Sequence, residues 1–549
     1  VRFNDLDNIG ITGRHYSGFI MLGIQVFNKP GQFKFWADEC VEFNYRWLTE
    51  ELGIPPEEIT FIEDVWAGGG NLGPSIEYFV SGLEVGNMVF MQYKTLPDGS
   101  REPLQVQVID VGIGLERIPW LINGSATSYL DVFPTAYKYL TDKVHVENNL
   151  DVWSKFGPLS CLLNVDEVDD LSKTWQWIAD QIGMPVTEVR AAIEPIRDAY
   201  VVLDHSRTTM MAIQDGSLPA NTGGGSNIRN VLRRAFAILN KNGWWDKLGG
   251  VEGFLELCEC HKKDLATIYG EFKPYSSFGD IIGREYKLYK SHDDEQRKKL
   301  DQILKKQKNQ LSLDDWIKCV TTFGIPADLI AQVSGTDVPL NLWYEIDYRQ
   351  QQTMKAAAPV LYSTAHLPPT VSLYDDDHDH KKYSFEGATV VDVLPIMTDP
   401  EMPLGIVVLD KSPFYPTSGG QDHDTGVLIV DGKEYQVVDV TRVGPCVLHT
   451  ISPAVQNKSE LVGKAVTGHV DAERRDQLRI HHPATHLVYA TARKVLGPHV
   501  WQNGARKKVH EAHLDITHYA ALTHEQLMEI EREANKAVRA GKAITKNTQ

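Results

Sequence analysis

The chain has 549 residues, enough for three or four domains with separate hydrophobic cores. Its hydrophobic share of 42% and charged share of 23% are those of an ordinary soluble globular protein. A net charge of −18 argues against nucleic-acid binding over the whole surface, though a local basic face is still allowed. No apolar run approaches the roughly 18 residues of a membrane span, Phe19–Phe27 coming nearest, and no signal-peptide pattern opens the chain. A cytosolic protein is therefore expected. The six cysteines (40, 161, 258, 260, 319 and 446) form no disulfide framework and point to a reducing compartment. Val1 stands inside a polar–apolar pattern, which suggests a fragment.

Residues 1–125 read as mixed α/β. Arg14–Phe27 is a strand-like apolar run, Phe35–Leu52 has helical spacing, and Gly68–Pro74 reads as a loop before Glu77–Phe79. Asn87–Tyr93 is a strand, and Pro97-Asp98-Gly99 a hairpin turn. The stretch Leu104–Ile118 organises the region. Leu104, Val106 and Val108 share one side of a period-2 alternation, and Asp110 falls on that side at the strand's end. Glycines 112 and 114 allow close backbone approach, and Glu116 and Arg117 open a helix. An acid and an arginine separated by a glycine turn suit a zwitterion's amine beside a phosphate. Structural salt bridges account for the same spacing.

Residues 126–350 turn helical, with i, i+3, i+4 apolar spacing over Trp175–Ile182, Val186–Val202, Ile228–Leu239 and Glu295–Leu304. Arg229–Lys241 and Arg297–Lys308 are the two local basic stretches, the second reading as a solvated helix face. The loop Asp215–Asn227 is glycine-rich, but no GK[ST] follows, so a phosphate-binding P-loop is excluded. Cys258-Glu259-Cys260-His261 lacks metal-ligand spacing and reads as buried thiols on a helix. After a linker at 351–371, residues 372–470 alternate in short runs separated by turns, the pattern of a small β-barrel. Asp375–His380 within it reads as an exposed turn. Residues 471–549 return to helix plus strand, with His482 and His486 at i, i+4 on one helix. Two imidazoles on one face suit zinc. Two histidines satisfied by other partners fit the pattern as well.

Several segments together resemble the alanyl-tRNA synthetases, class II enzymes of the archaeal or eukaryotic-like branch. They are TGRHYSGFIMLG, LGPSIEYF, LEVGNMVFMQY with DVGIGLERI, LPANTGGGSNIRNVLRR, SPFYPTSGGQDHDTG and HHPATHL. The resemblance implies an α+β multidomain chain: a class II antiparallel sheet with helices, a helical tRNA-recognition domain, and a small β-barrel with an α+β editing core. It assigns Arg14 to the ATP α-phosphate, Arg117 to the γ-phosphate and Asp110 to the ammonium of alanine. Trp66, Asn87, Val89 and Gly112 line the amino-acid pocket, and Phe27 stacks on adenine. Asn221 reads the G3·U70 pair of tRNA(Ala), with Arg233 and Arg234 on phosphates. Thr417, Ser418 and Gln421 belong to an editing site, and His482 and His486 to its zinc. ATP, Mg²⁺ and Zn²⁺ are the implied cofactors.

The family pattern is not matched everywhere. Motif 1 is missing, Ile20 stands where motif 2 carries glutamate, and Thr321 replaces the acid that completes wobble-pair reading, with Asp314 or Asp315 as substitutes. The remaining zinc ligands and a dimerisation region are expected beyond Gln549. Two rival functions remain: a hydrolase that only deacylates mischarged tRNA, and a non-catalytic tRNA-binding protein.

Overall fold

The computed structural model describes residues 1–541 except 4–5, 97–98, 148, 165–167, 169–170, 274, 308–309, 340, 344, 347, 350–361, 363, 365, 375–382 and 397–403. The expected turn at Pro97-Asp98, much of the linker and the Asp375–His380 run lie outside the described residues. Contacts divide the chain into two units, residues 1–214 with 219–350, and residues 215–218 with 351–549.

The first unit holds an antiparallel sheet of β1 (Met21–Asn28), β2 (Ile59–Gly68), β3 (Asn71–Val80), β4 (Leu83–Thr95) and β5 (Arg101–Gly114), in the order β1-β5-β4-β3-β2. Strand alternation sorts its two faces. Ile109, Val111 and Ile113 of β5 join Val26, Tyr78, Met88 and Phe90 in a buried cluster, closed by Cys40 of helix α1 (Ala37–Arg46) and by Leu48. Each large apolar side chain buried there contributes about 1.5–3 kcal/mol. The opposite face stays open, with Met21, Phe27 and Ile62 exposed.

Two local expectations need correcting. The run Arg14–Phe27 is not one strand, because β1 starts only at Met21. Helix α2 (Arg117–Asn123) follows β5, and the long helix α3 (Val186–Gln214) binds residues 17 and 18 away from the sheet. Gly18 permits this, since a Cβ there would collide with the Thr208 hydroxyl. Gly73-Pro74 is not a loop but lies inside β3. A Cβ at Gly73 would run into the Phe90 carbonyl, and the ladder is irregular between Leu72 and Ser75, where Pro74 has no N–H to donate.

Helices α3, α4 (Gly224–Lys241) and α5 (Phe278–Lys306) follow the predicted helical spacing. Cys258 and Cys260 are buried free thiols, as expected, and burial pushes both pKa values up. In the second unit, β6 (Ser384–Pro395), β7 (Leu404–Leu409), β8 (Gly426–Val430), β9 (Lys433–Val443), β10 (Cys446–Val455) and β11 (Ala465–Val470) close a barrel in the order β8-β9-β10-β7-β6-β11. Val390, Leu409, Phe414, Leu428, Val437 and Val466 fill it. Helix α6 (Ala472–Leu496) follows, then the hairpin β12 (Gln502–Lys507) and β13 (Ala512–Ile516), and helix α7 (His524–Arg539). The class II sheet with helices and the barrel both match the predicted fold. Among the described residues no helix is long and apolar enough to cross a membrane.

Candidate functional site

Directly opposed residues in a sheet share a face, so the register builds the first site. On the open side of β5 lie Asp110, Gly112 and Gly114, facing Gln25, Gly23 and Met21 on β1. On the other flank Val89 and Asn87 of β4 face Asp110 and Gly112. Phe27 opposes Val108, and Trp66 opposes Gly73 in the same alternation as Asp64 opposite Ser75. Asp110, Gly112, Asn87, Val89, Trp66 and Phe27 therefore share one face.

That face has a strip of glycines that add no side chains of their own and over which Met21, Gln25 and Arg117 reach. A Cβ at Gly112 would stand 2.5 Å from Met21 Cε and 3.1 Å from Asn87 Oδ1, and one at Gly23 would stand 2.6 Å from the Val111 carbonyl oxygen. At one end Gln25 Nε2 donates to Asp110 Oδ1 at 3.1 Å, which orients the carboxylate. At the other, Arg117 passes over Gly114, whose added Cβ would lie 3.4 Å from Arg117 Cδ. Asp110 and Gly114 are four strand residues apart, roughly 13 Å at the usual strand rise. Arg117 donates from Nη1 to the Glu84 carbonyl at 2.6 Å and to Glu84 Oε2 at 2.9 Å. Burial, then the Glu84 and Asp64 charges, raises the Glu77 carboxyl.

Arg14 is placed differently. Its loop belongs to the helices: Ser128 N–H donates to the Gly13 carbonyl at 3.0 Å, and the Tyr129 hydroxyl to the His15 carbonyl at 2.7 Å. Among the described residues no hydrogen bond or ion pair ties Arg14 to Asp110 or Arg117. Gln25 and Glu84 escaped sequence reasoning, because only strand register and long-range packing bring them to the strip.

On the helical side, exposed Asn221 precedes α4, and Arg229 Nη1 donates to its Oδ1 at 2.5 Å. Arg229 is itself held by Glu285 of α5, from Nε at 2.9 Å and Nη2 at 2.7 Å. With its oxygen engaged, Asn221 has its amide N–H groups left to offer. Arg234 pairs with Asp7 at 3.0 Å. Arg233 is half-buried, and desolvation followed by the nearby Arg229 charge lowers its pKa. Asp315 caps its helix through Ser312, and Asp314 pairs with Arg349, so both candidate substitutes already have structural partners.

In the second unit a tight turn carries the predicted editing residues. Ser418 and Gln421 exchange backbone hydrogen bonds at 3.2 and 2.9 Å across Gly419 and Gly420, both at positive φ. A Cβ at Gly420 would strike the Ala505 carbonyl. Gln421 is buried, and its Oε1 lies 2.9 Å from His482 Nδ1, the contact that brings the turn to the helix. The Thr417 hydroxyl lies 3.3 Å from His423 Nδ1. His482 and His486 stack with ring centres 5.3 Å apart. Desolvation, then Lys507 and His486, lowers the His482 pKa. Lys507 was not anticipated. It is 1% exposed, and its amine donates to the Gly419 carbonyl at 2.9 Å.

A zinc ion needs about four donors. The described residues contain no group of three or more His, Cys, Asp or Glu that would hold a metal, so His482 and His486 do not make a zinc site by themselves.

The sequence model of the family "tRNA synthetases class II (A)" matches residues 1–474, and the chain belongs to that family. Its relatives are alanine–tRNA ligases. That of Methanocella arvoryzae is 39% identical over 541 residues, covering 97% of this chain and 58% of the relative. Those of Pyrobaculum arsenaticum (36%, 98% of this chain) and Thermococcus kodakarensis (33%, 99% of this chain) are each covered over 60% of their length. The chain thus spans about three-fifths of the length of these relatives.

Proposed function

We propose that the chain is the activating and tRNA-reading part of an alanine–tRNA ligase, joined to a barrel-based editing region. The reading is supported chiefly by one observation: a carboxylate, an arginine and a strip of glycines share the open face of a class II sheet. Alanine lies on the strip, its ammonium paired with Asp110 and its methyl against Val89, Gly112 and Asn87, with Trp66 as a wall. Its carboxylate attacks the α-phosphorus of ATP, and pyrophosphate leaves. Charge builds on phosphate oxygens during that step, and fixed guanidinium groups stabilise it. Arg117 serves the γ-phosphate, exchanging its contact with Glu84 for one with the nucleotide. Arg14 serves the α-phosphate, and Phe27 lies against adenine. Mg²⁺ arrives as the counter-cation of ATP. Asn221, its amide oriented by Arg229, contacts the acceptor stem of tRNA(Ala), with Arg233 and Arg234 nearby for phosphates.

A small pocket cannot reject glycine strongly, because a missing methyl is worth only about 1–3 kcal/mol. Hydrolysis of mischarged ester is assigned to Thr417, Ser418 and Gln421 beside His482.

Alanine-dependent ATP–pyrophosphate exchange tests the proposal. Asp110→Asn should lower alanine use on the order of a hundredfold by removing a charge-assisted pair, with ATP binding unchanged. Equal loss of both would sink the assignment. Exchange-negative protein that still deacylates mischarged tRNA would return the hydrolase reading. Asn221→Ala should slow charging of G3·U70 tRNA and spare exchange; unchanged charging removes Asn221 from RNA reading.

A further inference from the structure

Helix α3 carries a polar stretch inside the protein: Asp204, His205, Ser206, Arg207 and Thr208 are all buried. Buried charges are costly unless paired, so their partners identify what they do. Asp204 Oδ1 accepts the Ser17 N–H at 3.0 Å, while Oδ2 takes the Ser17 hydroxyl. The Thr208 hydroxyl lies 2.8 Å from Ser17 Oγ. Arg207 Nη2 meets Glu116 Oε1 at 3.0 Å and also donates to the Gly18 carbonyl, both acid and arginine being 5% exposed. Its guanidinium lies 4.8 Å from the Phe133 ring centre. Both Glu116 oxygens accept the Ile20 N–H at 3.0 Å.

Positions 204, 207 and 208 form one face of α3. That face holds two backbone segments at once, residues 17–20 and the start of α2. The first connects Arg14 to β1, and the second places Glu116 next to Arg117. The segments also touch, with Leu115 N–H donating to the Ile20 carbonyl at 3.0 Å.

We propose that Arg207 is a positioning residue: through Glu116 and Gly18 it fixes, in one arrangement, the two segments from which Arg14 and Arg117 project. What those arginines bind rests on the function proposed above; the fixing itself does not.

The test uses the full chain, hydrogen exchange read by mass spectrometry over residues 14–20 and 115–118, and calorimetric titration with ATP. Arg207→Met leaves Glu116 buried without its cation, so the paired variant Arg207→Met/Glu116→Met, which orphans no charge, is made beside it. Both should speed exchange in the two segments and weaken ATP by about tenfold or more, since small misplacements of binding groups are costly. Ser206→Ala, whose hydroxyl pairs with His261 at 2.8 Å, should lower the thermal midpoint and move neither readout. Arg207→Lys covers the case in which neither methionine variant folds, with the same two shifts in smaller form. Unchanged exchange in both segments of a folded variant overturns the proposal, as do shifts equalled by Ser206→Ala. A parent chain that binds no ATP overturns the nucleotide reading, and the exchange arm alone then decides the positioning role.

Discussion

The open sheet face and the editing turn are built in opposite ways. The strip beside Asp110 is made of glycines, Gly23, Gly112 and Gly114, and its ion pair, Arg117–Glu84, is about a third exposed. The editing turn is made by locking charge in. Arg475, two helical turns before His482 on α6, pairs with fully buried Asp424 (Nε at 2.9 Å to both carboxylate oxygens) and donates to the Pro413 carbonyl, pinning the loop that carries Thr417, Ser418 and Gln421. Function and stability should therefore separate on the sheet face and travel together at the turn.

The largest effect expected from this contrast is on the buried pair. Asp424→Ala leaves the Arg475 guanidinium without its counter-charge and should cost the second unit about 3–5 kcal/mol. Glu84→Ala, which unpairs half-exposed Arg117, should cost less than about 1 kcal/mol. Urea unfolding followed by exchange protection in each unit reads both. Similar losses would erase the distinction.

Acid should act on the barrel through one buried imidazole. His449 sits inside the barrel region, its Nδ1 3.0 Å from the Val407 carbonyl and its Nε2 2.7 Å from the Ser412 hydroxyl. Burial lowers its pKa to about 4, against a smaller upward pull from the Val407 bond. The folded protein keeps this ring neutral while the unfolded chain takes up a proton near pH 6.5. Stability present at neutral pH is thus lost as pH falls below about 6.5, by about 2 kcal/mol between pH 7 and pH 5. His449→Gln should flatten the barrel's response. A slope that survives it would assign the effect elsewhere.

Much of this was legible in the sequence, and the unread part has a physical pattern. The alternation of Leu104–Asp110 fixes that Asp110 shares a face with Val108 and Gly112, and the i, i+4 spacing of His482 and His486 fixes their shared face. These are local periods, carried by the backbone itself. Gln25, Glu84, Arg207 and Lys507 have no local mark, because each is brought to its site by pairing across more than twenty residues. The same cause explains the misjudged start of β1. Residues 16–20 look like a strand continued, yet Ser17 and Gly18 bond to a helix nearly two hundred residues away and Ile20 bonds to Glu116.

The smallest effects give the sharpest form of the comparison, since they come from adding one methyl group at either of two paired glycines. Gly23 and Gly112 oppose each other across β1 and β5. At Gly23 the new methyl meets the Val111 carbonyl oxygen at 2.6 Å, and backbone cannot move aside, so Gly23→Ala should cost about 1–3 kcal/mol of stability. At Gly112 the close atoms are side-chain ends, Met21 Cε and Asn87 Oδ1, and Met21 is 56% exposed and free to swing. Gly112→Ala should then cost less than about 1 kcal/mol, yet its methyl stands where alanine is proposed to lie, weakening alanine by about tenfold with ATP unaffected. Thermal unfolding together with exchange kinetics at varied alanine separates the two. If Gly112→Ala loses as much stability as Gly23→Ala and keeps its alanine affinity, the glycine strip is there for strand packing, and the amino acid must bind elsewhere.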